Sequence, residues 1–160
     1  MKRLVLASTI LAVLAMLGAF PVVFASHSRP FNGSFSGSFT LTSATTATIT
    51  STGDFEHLGK TTFASTATGT GSSAACEGGL IATEQETFTA ANGDQLFSSD
   101  MDVICPTSPT AFQLTASFTI TGGTGRFADA SGSGTTQLSG VDTSMTTGTF
   151  SGTSTGTISY

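Results

Sequence analysis

A strict alternation of apolar and polar residues beginning at position 111 constrains the fold of this chain more than any other feature. Ser, Thr or Gln separates five apolar residues that occupy every second position: Phe112, Leu114, Ala116, Phe118 and Ile120. A period of two is typical of a β-strand with one buried face and one face in water. The alternation stops at a glycine corner formed by Gly122, Gly123 and Gly125 and resumes at Arg126. The pattern predicts two antiparallel strands joined at this corner, with the apolar side chains facing inward.

The same period of two recurs along most of the chain after residue 30. Further strands are predicted at 31–41, 44–52, 61–70, 80–91, 95–104 and 144–160. No helical period accompanies them, and eleven phenylalanines beyond residue 26, set in alternation, argue against a disordered Ser/Thr-rich stalk. Eight strands with short hairpins predict an all-β fold, an eight-stranded antiparallel up-and-down β-barrel, because closure removes the sheet edges. A β-sandwich of two sheets is the alternative.

The first and last predicted strands share a motif. Residues 31–37 and residues 150–156 both read Phe-x-Gly-x-x-x-Gly. In a closed barrel the first and last strands are neighbours. We therefore expect these two segments to lie side by side.

The first 25 residues have the features of a secretory signal peptide. Lys2 and Arg3 precede an apolar run that reaches Phe20, and small residues allow cleavage between Ala25 and Ser26. An uncleaved membrane anchor is the alternative. We expect the rest of the chain, 26–160, to be a single secreted domain with no membrane association after cleavage.

The net charge of the predicted mature chain excludes some classes of partner. Residues 26–160 contain three Lys or Arg and ten Asp or Glu, for a net charge of −7 with histidine neutral. Such a surface repels phosphate backbones and anionic headgroups. We expect no nucleic-acid partner.

The two cysteines predict a disulfide. Cys76 and Cys105 are the only cysteines of the chain, and an exported protein meets an oxidising compartment. A metal site is not expected, because the histidines beyond the leader, His27 and His57, are distant in sequence from both cysteines. We therefore predict a Cys76–Cys105 bridge and no metal.

The glycine corner and the residues after it carry a resemblance to a known family. The run Gly-Gly-Thr-Gly-Arg-Phe-Ala at 122–128, followed by Ala130 and Gly132, resembles the dirigent and allene oxide cyclase-like β-barrel superfamily. Segments 57–60 and 91–97 look like secreted bacterial relatives of undefined role. The resemblance implies an eight-stranded antiparallel barrel with an internal cavity. In the characterised families that cavity serves the cyclisation or guided coupling of small, mostly apolar molecules.

The hairpin formed by strands 80–91 and 95–104 carries the candidate ligand-binding residues. Asn92-Gly93 predicts a two-residue turn between these strands. That turn sets the following cross-strand pairs: Phe88 with Phe97, Glu86 with Ser99, Glu84 with Met101 and Ala82 with Val103.

The two glutamates of this hairpin are the candidate polar groups of a cavity. If their face is interior, burial raises the pKa values of Glu84 and Glu86, which suits them to orient a ligand or to transfer a proton. A register shifted by one residue would instead gather both glutamates with Asp100 and Asp102 on one solvated face, where calcium binding is conceivable. His57 is a candidate group at the rim of the pocket, with a solvated or capping role as the alternative.

Three functions remain open from the sequence. The first is an exported barrel that binds a small apolar or amphipathic molecule in its cavity, with no cofactor. The second is a cyclase- or isomerase-type enzyme that uses Glu84 or Glu86 as the acid–base group. The third is an extracellular structural module with a filled core. No Gly-x-Ser-x-Gly elbow supports a hydrolase, and the glycine corner does not lead into a helix, as a phosphate loop would.

Overall fold

The fold is a closed barrel of eight antiparallel strands. The structure is a computed structural model, and it describes residues 27–160, so the predicted leader and its cleavage site lie outside the described residues. The strands are β1 (Arg29–Leu41), β2 (Thr46–Phe55), β3 (Gly59–Ser72), β4 (Leu80–Thr89), β5 (Gln95–Ser108), β6 (Ala111–Gly123), β7 (Ser131–Asp142) and β8 (Thr147–Ser159). Within 27–160 no helix has the length and apolar character needed to cross a membrane.

The strands follow one another around the barrel in chain order, and β8 closes it against β1. Phe35 lies opposite Gly152 and Gly37 opposite Phe150 in this closing pair. The predicted up-and-down barrel is therefore confirmed, including the neighbouring positions of the two Phe-x-Gly-x-x-x-Gly segments. The β-sandwich alternative is wrong.

Alternate residues of each strand face the interior. On β6, Phe118 and Ile120 are 5% and 3% exposed, whereas the Ser and Thr residues between the apolar positions are exposed. The predicted orientation of this strand is confirmed. The outer surface is mostly serine and threonine, which combine a β-branched or small side chain with a hydroxyl group that water can bind.

Aromatic rings occupy the space left by interior glycines on neighbouring strands. Gly33 lies opposite Phe55, and Gly140 lies opposite Phe112. A Cβ atom at either glycine would overlap the ring of its partner. The glycines thus allow large rings to lie flat against the wall of a narrow barrel.

One end of the barrel is filled, and we call it the closed end. It carries the β2–β3, β4–β5 and β6–β7 connections and both described chain termini. Phe31 packs there against Phe55, Phe88 and Phe118, and a void within this aromatic core has a volume of about 20 Å³. That volume has room for about one water molecule and not for a larger ligand, so a ligand would have to use the other end, which we call the open end.

The glycine corner seals the closed end. Gly122 and Gly125 have φ angles of 134° and 57°, which L-amino acids with a side chain rarely adopt. A short 3-10 helix (Gly125–Phe127) then places Phe127 in the core with no exposed surface. The alternation was expected to resume as a strand at Arg126, but β7 begins only at Ser131. The 3-10 helix and the turn after it form the intervening segment, which we call the plug.

The β4–β5 turn differs from the prediction. The amide of Gly93 donates to the carbonyl of Ala90, the amide of Ala90 donates to the carbonyl of Asp94, and Gly93 has a φ of 89°. The loop therefore contains three residues, with the glycine in the left-handed position, and is not the predicted two-residue turn. The extra residue moves the register by one, so that Phe88 pairs with Leu96.

The predicted disulfide is present. Cys76 and Cys105 are bonded, with their Cα atoms 5.9 Å apart. Cys76 belongs to the β3–β4 connection and Cys105 to the outer face of β5. The bond therefore ties the longest connection of the open end to the barrel wall.

Removal of this disulfide is expected to destabilise the barrel. The double variant Cys76→Ala/Cys105→Ala should lower the free energy of unfolding by about 3 kcal/mol, because the bond closes a loop of 29 residues in the unfolded chain. Urea denaturation of both proteins measures the loss. Reduction should reproduce it in the wild type and leave the double variant unchanged; a loss below about 0.5 kcal/mol would contradict the expectation.

Candidate functional site

The open end of the barrel contains a cavity of about 320 Å³. This volume falls at the lower end of the range for small-molecule sites. Rings of Phe35, Phe63 and Phe150 lie at its base, above the aromatic core. Aliphatic and aromatic side chains surround its mouth: Phe39, Ile49, Leu80, Ile104, Phe112 and Leu138.

Four carboxyl groups from β4 and β5 line one wall of this cavity: Glu84, Glu86, Asp100 and Asp102. They share the wall because the three-residue loop pairs Glu84 directly with Asp100 and places Asp102 opposite Ala82. Along each strand they lie between the apolar mouth and the aromatic core. The alternative considered from the sequence was a register shifted by one residue, with the four acids on a solvated face. The structure has this shifted register, but all four acids face the interior.

Two serine hydroxyls provide the hydrogen bonds to these carboxyls. Ser65 donates to Glu84. Ser98 lies 3.0 Å from Oε2 of Glu86 and 2.9 Å from Oδ1 of Asp100. A hydroxyl has one hydrogen to donate, so both contacts can be hydrogen bonds only when one of these two carboxyls carries a proton.

Asp102 is the most deeply buried of the four acids. Only 1% of the residue is exposed, and no donor among the described residues reaches either of its carboxylate oxygens. A protonated Asp102 can donate to the carboxylate of Glu84 beside it, and this sharing favours the charged form of Glu84. A charged Asp102 has no such partner, which makes it the least satisfied group in the cavity.

Burial raises the pKa values of all four carboxyls, because a charged group loses its hydration inside the barrel. Burial and, to a smaller extent, the charge of Glu84 raise the pKa of Asp100 to about 7, although the hydrogen bond from Ser98 lowers it. Burial, followed by the charges of Glu84 and Asp100, raises the pKa of Asp102 to about 8. Burial, followed by the charges of Asp100 and Glu84, raises the pKa of Glu86 well above its usual value of 4.5. The cavity therefore holds a mixture of neutral and charged carboxyls near pH 7.

The basic side chains of the described residues lie at the other end of the molecule. Arg29 contacts Tyr160, and Lys60 is the second residue of β3. Arg126 donates to the carbonyl of His57 at 2.6 Å and lies 3.7 Å from Asp94. None of the three lines the cavity. Within residues 27–160, no basic side chain compensates the four acids.

The structure brings together only some of the predicted ligand-binding residues. Glu84 and Glu86 line the cavity, and Phe88 lies below it in the aromatic core. Phe97 and Met101 were expected on the same face, but the new register turns both outward, and Met101 is 61% exposed. Their predicted pairing with Phe88 and Glu84 is wrong because of the additional loop residue.

His57 lies far from the cavity, although it was considered a group of the pocket rim. It occupies the β2–β3 turn at the closed end with a φ of 71°. Its Nε2 lies 3.0 Å from the carbonyl oxygen of Pro30, and its ring packs against Tyr160. These contacts make it part of the sealed end, where Arg126 also braces the glycine corner.

The structure adds four polar residues that the predicted site lacked: Asp100, Asp102, Ser65 and Ser98. Asp100 and Asp102 have the same spacing, i and i+2, as Glu84 and Glu86. These two pairs stand out in a chain with only ten acidic residues. The spacing already indicated that both acids of each pair lie on the same face of their strand. The length of the turn then decides whether the two pairs lie on the same face of the sheet.

The cluster does not form a recognisable metal site. Among the described residues, no group of three or more His, Cys, Asp or Glu side chains is arranged to hold a metal ion. The calcium arrangement considered for the shifted register therefore has no geometric support.

No protein-family model, curated protein or solved structure matches this chain.

Proposed function

We propose that the barrel binds a small amphipathic molecule in the cavity at its open end. The observation that carries this proposal is the combination of a cavity of about 320 Å³ with an apolar mouth and a wall of four carboxyl groups. The apolar part of the ligand packs against the mouth, and its polar part reaches the carboxyls. The cavity also favours binding over the third function, a structural module with a filled core.

Exposed apolar groups around the mouth support the same function. Leu80 lines the cavity and is 53% exposed, and Leu41 lines it and is 40% exposed. Large exposed apolar side chains grouped at a concave site indicate a surface that a ligand covers. A bound apolar group would remove both leucines from water, which contributes favourable free energy.

We propose that the protein acts outside the cell. The leader predicted over residues 1–25 supports export. The Cys76–Cys105 disulfide suits an oxidising compartment. The resemblance of the glycine corner to the dirigent and allene oxide cyclase-like barrels also favours a cavity for small, mostly apolar molecules.

A fluorescent apolar probe tests the proposed cavity. Phenylnaphthylamine, which is neutral at pH 7, should bind with increased fluorescence. Ala67→Phe places a ring inside the cavity on β3, opposite Glu84, and should weaken probe binding at least about tenfold by occupying the space. Fluorescence titration measures the dissociation constants, and circular dichroism checks the fold.

Ala64→Phe is the matched control for this variant. Ala64 lies on the outer face of the same strand and is exposed, so the same substitution leaves the cavity open. The control should bind the probe as the wild type does. Equal binding by both variants would show that the probe sits elsewhere, and native mass spectrometry of the exported protein would then identify any molecule that it carries.

Acid–base catalysis is a second candidate function. Burial raises the pKa of Glu86 well above its usual value, and Glu86 lines the cavity. A carboxyl whose pKa is raised by burial suits proton transfer to a bound molecule. If a ligand recovered from the protein is converted by it, Glu86→Gln should abolish the conversion while the barrel remains folded; conversion at the wild-type rate would exclude Glu86 as the acid–base group.

A further inference from the structure

The carboxyl cluster lacks hydrogen-bond donors, and this lack indicates the chemistry of the ligand. Its four carboxyls share two serine hydroxyls. Asp102 receives neither of them, although it is 1% exposed and lines the cavity. A buried carboxyl in this position needs a proton or a cation to be satisfied. The ligand can supply what the protein does not.

The distribution of charge along the barrel favours a cation over a neutral donor. The Lys and Arg side chains of residues 27–160 lie at the closed end, and Asp142 adds a fifth carboxyl at the mouth of the cavity. Apolar walls of low dielectric constant focus the field of these acids into the cavity. A positively charged group gains from that field, whereas a carboxylate is repelled by it.

We infer that the ligand is an organic cation, a protonated primary amine joined to an apolar body. An ammonium group has three N–H donors, and the carboxyls of Glu84, Asp100 and Asp102 are the acceptors that it meets. The apolar body packs against Phe39, Ile49 and Phe112 at the mouth. This inference rests on the proposed function, because it names the polar group of the molecule that the cavity binds.

Three molecules with the same chain length test the inference. Octylammonium, octanol and octanoate differ only in the polar group and its charge. Each is titrated into the wild-type protein at pH 7 by isothermal calorimetry and, separately, used to displace phenylnaphthylamine. We expect octylammonium to bind at least about tenfold more tightly than octanol, because its charge meets uncompensated carboxyls, and octanoate to bind most weakly.

Asp102→Asn examines the role of the unpaired acid. The substitution keeps the size of the side chain and prevents it from ionising when the cation binds, so the ratio of octylammonium affinity to octanol affinity should fall about tenfold. Asp129→Asn removes one charge from an exposed residue at the closed end and should leave this ratio unchanged. Calorimetry in two buffers of different ionisation enthalpy should also show proton release when octylammonium binds, because a cation favours the ionised carboxyls.

The possible results separate the inference from the function on which it rests. If octanol binds as tightly as octylammonium, or octanoate binds most tightly, the cavity binds amphipathic molecules, but the inference that its ligand is a cation is wrong. If neither phenylnaphthylamine nor any of the three molecules binds, the proposed function and the inference both fail. Preference for octylammonium that survives in Asp102→Asn would overturn the assignment of the carboxyl cluster as its site.

Discussion

The barrel is expected to lose stability as the pH rises from 4 to 8. The pKa values of Asp100 and Asp102 rise from 3.8 to about 7 and about 8 in the folded protein, mainly through burial. Between pH 4 and pH 8 the unfolded chain therefore releases protons that the barrel retains, and ionisation favours unfolding. The contribution of these carboxyls to the free energy of unfolding is therefore largest below pH 4, falls between pH 4 and pH 8, and levels off above pH 8.

The size of this loss follows from the linkage of protons to folding. Each carboxyl that is ionised in the unfolded chain and protonated in the barrel contributes about 1.4 kcal/mol per pH unit. Because Glu84 and Glu86 have raised pKa values as well, we expect a total loss of about 4 kcal/mol or more. Urea denaturation at intervals between pH 4 and pH 8 measures the free energy of unfolding directly.

Two substitutions make this pH dependence specific to the cavity. Asp102→Asn removes the most deeply buried acid and should raise the free energy of unfolding at pH 8 while changing it little at pH 4. Asp129→Asn, at an exposed position, should retain the wild-type dependence. A wild-type stability that is constant or increases from pH 4 to pH 8 would mean that the carboxyls are hydrated or neutralised in the folded protein.

The second large effect is expected in the aromatic core. Phe31 is 2% exposed, and its ring centre lies 5.4 Å from that of Phe55 and 5.8 Å from that of Phe118. Phe31→Ala should lower the free energy of unfolding by about 3–5 kcal/mol, because it removes a buried ring and leaves a cavity that the barrel wall cannot close. Chemical denaturation at pH 5 measures the difference.

Phe97→Ala is the control for this core substitution. Phe97 lies on the outer face of β5, so the same change should cost less than about 1 kcal/mol. If Phe31→Ala does not fold, Phe31→Leu should still show a loss of about 1–2 kcal/mol. Equal losses at positions 31 and 97 would contradict the assignment of the interior face.

The fold was predictable because its main determinants are local and repeated. Alternation along β6 assigned Phe118 and Ile120 to the interior without any knowledge of neighbouring strands. The repeated Phe-x-Gly-x-x-x-Gly pattern predicted the contact of β1 with β8, and it reflects rings that need glycine beside them. The two cysteines predicted their own bond, since the chain contains no other cysteine.

The site was less predictable because it depends on a single turn. Asn92-Gly93 fits both a two-residue turn and the three-residue loop that the structure contains, since both need a left-handed residue. The sequence does not distinguish them locally, yet the choice decides whether Met101 or Asp100 faces Glu84. Hydrogen bonds from Ser65 and Ser98 and the sharing of protons between the carboxyls offset the cost of burying the four acids. These contacts join different strands, so the periodicity of one strand cannot reveal them.

The closed end was also predicted only in part. The glycine corner indicated a sharp turn, but the alternation after Arg126 concealed the 3-10 helix, because Phe127 is inward in either arrangement. His57 was placed at the rim on chain position alone. Its actual contacts, with Pro30 and Tyr160, join residues far apart in sequence, which a single sequence does not bring together.

The plug at the closed end determines how a molecule could move in and out of the cavity. With Phe127 and the aromatic core blocking one end, a guest must enter and leave by the same opening. A guest that presents its polar group to the carboxyls must carry that group past the apolar mouth first, and lose its hydration before it gains its partners. For a molecule bound as we propose, we therefore expect entry and release to be slow, which would suit retention of the molecule more than rapid exchange.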